Sequence, residues 1–268
     1  MQIGVTAAVE RFRLRHTQFF EGSDFLEQAI SAAFDHKVNT QDRLGLTIVL
    51  LGTRCVSDFR EILLLAANGF GWGATSHLRG MFERTVTAAY LYENPQAVND
   101  FVDYEFIRRW KGVSVIESIF GLSPENESTK ATLKADFERV RERFLVPSCE
   151  KCKTTRPNHT WSRLDVVSMA KQIQQPNFAP LVIPAYYLPL AQMHSTFASI
   201  YHRIGQLDTE IYGPDEAAAD AEADRSLQYA HLVLLNILFV QHRQFKIASL
   251  GPHMERAFEH FDHAWRKT

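Results

Sequence analysis

Arg79 and Glu83 stand one helical turn apart in the run Ser76-His-Leu-Arg-Gly-Met-Phe-Glu-Arg-Thr-Val-Thr-Ala-Ala-Tyr-Leu-Tyr-Glu-Asn-Pro95. They flank an apolar stripe, where an unpaired charge loses several kcal/mol of hydration. One reading is a solvated i,i+4 pair worth tenths of a kcal/mol, with Arg before Glu in the less favourable order for the helix dipole. The other is a pair at an interhelical cleft, where a guanidinium can grip a carboxylate or phosphate as a fork. A second candidate is His194, in Tyr186-Tyr-Leu-Pro-Leu-Ala-Gln-Met-His194. A regular helix would place it on one face with Tyr187, Leu190, Ala191 and Ala198. In such company an imidazole is either a core residue with one satisfied nitrogen, or an acid/base or polar ligand in a pocket. Arg79, Glu83 and His194 are expected to converge.

A third pair, Arg225 and His231, has the composition that metal-independent RNA cleavage needs: an imidazole for the 2′-hydroxyl and a cation beside the phosphate. The spacing is unspecific, since Arg11–His16 and Arg256–His263 repeat it. Cys149, Cys152 and His159 resemble part of a zinc site, but a structural zinc takes four ligands and no fourth stands nearby; no metal is expected. Phe106-Ile-Arg-Arg-Trp-Lys111 interleaves basic and aromatic side chains, as nucleic-acid surfaces and solvated helix faces both do. Gly69-x-Gly-x-Gly73 lacks the preceding strand of a dinucleotide site. The long helices carry no Glu/Asp-x-x-His pairs for a di-iron site, and Glu259-His260 and Asp262-His263 fall on a peripheral helix. No cofactor is expected.

Helical periodicity runs through nearly every long segment. Residues 5–20 and 23–37 read as short helices split by Glu21-Gly22-Ser23. From Thr40 to about Asn68, Leu44, Ile48, Leu51, Cys55, Phe59, Ile62 and Leu65 recur at spacings of three and four. Further helices are expected over 74–93, ended by Asn94-Pro95, over 95–121, from Ser123-Pro124-Glu125, from a capping box at Ser162 to about Gln174, over 185–206, over 215–248, and after Gly251-Pro252. No useful β alternation is seen. The expected fold is all-α, an antiparallel bundle on four long core helices, as one domain: an N-terminal extension (1–38), a core (40–248) and a C-terminal helix (251–268).

The 268 residues are 46% hydrophobic and 22% charged, ordinary for a globular protein, and the formal charge of −2 argues against a general polyanion-binding surface. Eleven His make charge responsive between about pH 6 and 7. Three Cys cannot all pair, no signal-peptide pattern opens the chain, and the longest apolar runs, Leu44–Leu51 and Tyr229–Val240, fall short of the roughly 20 residues that cross a bilayer. A cytoplasmic protein without membrane contact is expected.

Leu78-Arg79-x-x-Phe82-Glu83 followed by Tyr90-Leu91, Trp161-Ser162…Met169-Ala170, and Tyr187-x-x-Leu190-Ala191-x-Met193-His194-Ser195 occur in the order seen in a bacterial domain family of unknown function, the 5677 family. The chain resembles that family over roughly residues 40–245. Ala191 stands where the family pattern has Ser, so no hydroxyl role is carried to that position. The resemblance implies a helical bundle with Arg79, Glu83 and His194 as a polar cluster. More distantly, such bundles are similar to the HEPN superfamily, many of whose members are dimeric RNases using an Arg and a His with four to six residues between them. The function expected is a binding or regulatory module with an Arg-Glu-His cluster in an interhelical pocket. The alternative is a HEPN-like, metal-independent ribonuclease (a toxin or defence effector) acting as a homodimer, with Arg79, Glu83, His194, Arg225 and His231 as its candidate residues. The partners expected are RNA or a small-molecule ligand.

Overall fold

The computed structural model describes residues 4–121, 127–148, 152–194, 196–201, 203–208 and 211–265, with the backbone alone at 198, 205–208 and 211–214. The chain divides into two compact units, one formed by residues up to Glu93 and from Val166 onward, the other by Asn94–Asp165. Among the described residues no helix is long and apolar enough to cross a membrane.

The first unit opens with α1 (Thr6–Arg15), α2 (Thr17–Glu21) and α3 (Ser23–Phe34), then the long antiparallel pair α4 (Arg43–Ala67) and α5 (Gly71–Glu93). Asp42 caps α4 by accepting from the Gly45 N–H at 3.1 Å. Gly69, at φ +80°, makes the tight reversal into α5, a backbone state that costs glycine nothing. On α4, Ile48, Cys55, Phe59, Ile62 and Ala66 are buried at spacings of three, four and seven, as the periodicity predicts.

The second unit contains α6 (Val98–Phe120), α7 (Glu127–Val140) and the short antiparallel pair β1 (Leu145–Pro147) and β2 (Thr155–Pro157). Its core is Tyr104, Ile107, Phe137, Val140 and Phe144, flanked by Phe106, Trp110 and Trp161. The expected helix start at Ser123-Pro124-Glu125 lies outside the described residues.

The chain then returns to the first unit with α8 (Val166–Gln172), a π-helical turn over Val182–Tyr187, α9 (Leu188–Met193), α10 (Phe197–Tyr201), the hairpin β3 (Ile204–Asp208) and β4 (Ile211–Pro214), α11 (Glu216–Phe245) and α12 (Leu250–Trp265). Asp215 caps α11 through the Ala218 N–H at 2.9 Å. The all-α expectation holds, with two short hairpins added. Three long helices, α4, α5 and α11, pack mutually as the core of this unit, while the fourth, α6, belongs to the other. The helix expected over 185–206, bent or delayed in starting at Pro189, is corrected to a π-turn, two short helices and the start of a strand. Pro184 and Pro189 deny backbone donors to consecutive turns, and His194 takes extended dihedrals (φ −83°, ψ 140°) that end α9.

Glycines set how closely the core helices approach. A Cβ on Gly71 would lie 1.9 Å from the Ala219 carbonyl oxygen of α11, so at that crossing only glycine lets α5 and α11 meet. A Cβ on Gly52 would lie 2.2 Å from Gln241 Nε2, which instead donates to the Ile48 carbonyl at 2.8 Å. The two chain ends close the unit, with α12 packed against α2 and α3.

Candidate functional site

Trp72, Ser76, Arg79 and Glu83 fall at i, i+4, i+7 and i+11 of α5 and share one face. That face looks toward the π-turn and α9. Arg79 Nη2 meets Glu83 Oε1 at 2.9 Å with the two side chains 24% and 35% exposed, so the pair is neither fully solvated nor sealed. The Arg79 guanidinium lies 5.3 Å over the Tyr186 ring and its Nη1 donates toward Met193 Sδ at 3.7 Å. Its Nε–H is buried without an acceptor.

His194 follows Met193 directly and is exposed. Because α9 ends there, its ring is not carried on the apolar helix face expected for it. Its carbonyl accepts from the Thr196 N–H at 2.8 Å, and Thr196 and Ser199 exchange side-chain-to-backbone bonds at 3.1 and 3.2 Å that start α10. His194 opens onto a cavity of about 330 Å³ walled by Ser76, Gln192, Met193, Ser199, Ile200 and Arg203. Arg203 reaches back to donate from Nη2 to the Gln192 carbonyl at 2.7 Å and lies 5.2 Å over the Trp72 ring. Its Nε–H, like that of Arg79, is buried without an acceptor, and so is the Gln192 Oε1 without a donor.

The structure therefore brings Arg79 and His194 to one neighbourhood, through Met193, and joins Arg79 to Glu83. Among the described residues no hydrogen bond or ion pair links the His194 ring to either. Ser76, Gln192, Ser199 and Arg203 complete the site. Ser76 was readable from its register with Arg79. Arg203 was not, because its place follows from the end of α9 at His194, which lets it turn back to Gln192 and Trp72.

Arg225 and His231 are not brought together. Six residues on a helix turn through roughly 240°, which sends the two side chains to different faces. Arg225 pairs with the buried Glu222, whose other oxygen accepts from the Thr75 hydroxyl at 3.2 Å. His231 is fully enclosed among Phe19, His260, Phe261 and Trp265. Its Nδ1 accepts from the Trp265 indole N–H at 3.1 Å. Burial, and secondarily the nearby His260, hold its pKa down at about 3. A sealed imidazole has no route to an RNA 2′-hydroxyl.

The basic–aromatic run is spent within the second unit. Trp110 stacks on Phe137 at 5.5 Å, Arg109 pairs with Glu105 at 3.1 Å, and Lys111 donates to the Asn158 carbonyl at 3.2 Å. Cys149 lies outside the described residues. Cys152 is exposed, with Sγ 3.2 Å from Thr154 Oγ1, and Arg156 holds His159 Nε2.

Sequence reasoning also missed a charged network on the α4–α5 seam. Asp58 is completely buried and accepts from Arg84 Nε at 2.7 Å, and its Oδ1 is charge-paired to Arg54 Nη2 at 3.0 Å, off the hydrogen-bond line. Arg54 also reaches Glu61 at 3.2 Å, and His77 Nδ1 meets Glu61 at 2.9 Å. Asp58, Glu61 and His77 offer ligand atoms within 4.8 Å of one another. Two guanidinium groups already balance the two carboxylates, so the arrangement is a partly exposed ion-pair network anchored on the buried Asp58. Its signal in the sequence was an Asp beside the stripe of Cys55, Phe59 and Ile62.

Comparison with curated proteins and with solved structures returns no match for this chain. A family model does match, over residues 46–211, which takes in most of α4, all of α5, the Arg79–Glu83 pair, His194 and Arg203. The chain belongs to the family described as "Family of unknown function (DUF5677)".

Proposed function

We propose that the chain is a ligand-binding helical module whose α5–α9 pocket holds a small anionic group between Arg79, Arg203 and His194. The observation that carries this reading is a pair of buried arginine Nε–H donors without acceptors among the described residues, Arg203 in the wall of the small cavity and Arg79 in contact with Met193 of that wall. A charged donor left unpaired away from water costs about 1–3 kcal/mol or more, and an incoming carboxylate or phosphate oxygen removes that cost. Glu83 pairs with Arg79 at 2.9 Å, and the Ser76 and Ser199 hydroxyls on the wall already donate to the Trp72 and Thr196 carbonyls, which leaves the arginines as the donors for an anion. Among the described residues nothing in the pocket pairs a nucleophile with a base at hydrogen-bonding distance, which favours binding over turnover.

The test is an acetate titration followed by NMR of the arginine side-chain Nε–H signals. Two of them should move saturably, and Arg79→Ala and Arg203→Ala should each remove one and weaken the response of the other. Uniform small drifts of every exposed arginine would refute the reading. The ribonuclease alternative loses its best pair with His231 enclosed and would have to run through Arg79 and His194. EDTA-resistant RNA cleavage abolished by His194→Ala would replace the binding reading.

A further inference from the structure

Arg203 lines two cavities. Beyond the small polar one lies a second, of about 870 Å³, walled largely by apolar atoms and bounded by Leu65, Phe70, Trp72, Gly73, Ala219 and Ile204. Its volume is in the range that takes drug-sized molecules. The acids on its rim are mostly engaged: Asp215 caps α11, and Asp220 pairs with Arg15 at 2.9 Å. Glu216 is exposed in the first turn of α11. Trp72 offers one ring surface to Arg203 and borders the cavity, and Phe70, 56% exposed on the same wall, is an aromatic surface with little to cover it.

We infer that the ligand is an aromatic carboxylate, its ring in the larger cavity beside Trp72 and Phe70 and its carboxylate on Arg203 at the junction of the two cavities. This rests on the binding reading above and adds the class of ligand. The charge complement is the Arg203 Nε–H, buried and unpartnered while Nη2 is committed to the Gln192 carbonyl. A carboxylate there takes a charge-assisted bond that no group among the described residues supplies. The apolar complement is a wall that stays in water unless something covers it. An inorganic anion would satisfy the first and leave the second unused.

The experiment compares acetate with 2-naphthylacetate by calorimetry and by the arginine Nε–H signals. Naphthylacetate should bind about 100-fold more tightly, the scale set by covering a bicyclic ring. Arg203→Gln should weaken both probes about 10-fold. Gly73→Leu separates ring from carboxylate. A Cβ at Gly73 meets nothing nearer than a Leu65 methyl at 3.5 Å, so the new side chain grows into the larger cavity without displacing backbone. It should erase the advantage of naphthylacetate and leave the acetate response of Arg79 in place. If acetate moves the Arg79 and Arg203 signals but naphthylacetate binds no more tightly, or binds Gly73→Leu equally well, the aromatic-carboxylate inference is overturned and the pocket binds small anions only. If neither probe moves those signals, the binding reading itself falls.

Discussion

Acid should destabilise this protein through His231. The ring is sealed among Phe19, Phe261, Trp265 and His260, and its pKa in the folded state is held at about 3 against an ordinary value near 6.5. The unfolded chain therefore binds a proton that the folded chain refuses, so stability rises with pH across the window between the two values. The contribution is complete above about pH 6.5 and shrinks by about 1.4 kcal/mol per pH unit below it. Between pH 7.5 and 4.5 the loss from this one residue is about 2–3 kcal/mol. His260 is also held down, chiefly by burial against backbone bonds to Phe19 and Gln18 that favour its charged form, and so acts in the same direction.

Many carboxylates titrate in the same window, so the informative quantity is a difference of differences. Urea unfolding of the unmodified chain and of His231→Gln would be followed at pH 7.5, 6.5, 5.5 and 4.5. Gln can accept from the Trp265 indole N–H but cannot titrate, so any fixed penalty of the substitution cancels from the pH slope. The unmodified chain should lose about 2–3 kcal/mol more than the variant over the interval. Parallel slopes would mean that water or a rearrangement reaches the ring before unfolding, and the enclosed aromatic nest would be wrong.

Three further outcomes follow from the core. Asp58→Ala should cost about 3 kcal/mol in chemical denaturation, the low end for breaking a buried pair because Arg84 is 31% exposed and can turn to water; a loss below about 1 kcal/mol would mark the network as solvent-screened. Gly71→Ala should cost about 3 kcal/mol or more, since its Cβ would meet the Ala219 carbonyl at 1.9 Å and force α5 from α11; a thermal midpoint unchanged within about 2 °C would refute that close crossing. In a Cys149→Ser, Cys152→Ser chain, Cys55 should not react with a disulfide reagent until the protein unfolds. Burial raises its thiol pKa to about 12, and rapid native-state labelling would contradict that burial.

The helices were legible because their apolar residues repeat at the helical period, and Cys55, Phe59 and Ile62 are buried where that period puts them. The 182–214 segment was not. Its residues fit a helix face as well as any, and only the backbone consequences of Pro184 and Pro189 and the extended His194 divide it into a π-turn, two short helices and a hairpin. Arg79 with Glu83 was readable as a local pair. Its neighbours Tyr186, Met193 and Arg203 depend on that irregular segment, whose path no period encodes. Arg225 with His231 shows the opposite failure, in which a matching spacing along the chain places two side chains on different helix faces.

The two charged faces of α5 differ in a way that assigns them different work. His77 and Arg84 look toward α4, and there each carboxylate, Asp58 and Glu61, is met by a guanidinium, with His77 also on Glu61. Charge is balanced across that seam, so adding an ion would undo existing pairs rather than satisfy anything. Roughly 200–240° around the same helix, Arg79 and Glu83 pair with each other, yet among the described residues the Arg79 Nε–H finds no acceptor, and neither the Arg203 Nε–H nor the Gln192 Oε1 of the nearby cavity wall finds a partner. Buried polar groups without partners occur elsewhere in the chain too, and what sets this place apart is that two of them, Arg203 Nε and Gln192 Oε1, belong to residues lining one cavity, with Arg79 beside its Met193. Substitutions on the α4 face should therefore change stability whether or not a ligand is present. Arg79→Ala and Arg203→Ala should leave the ligand-free midpoint nearly unchanged and abolish the added stabilisation that saturating naphthylacetate brings. A ligand-free loss at Arg79 as large as that of Asp58→Ala would place both faces in the structural role and leave the cavity without a purpose.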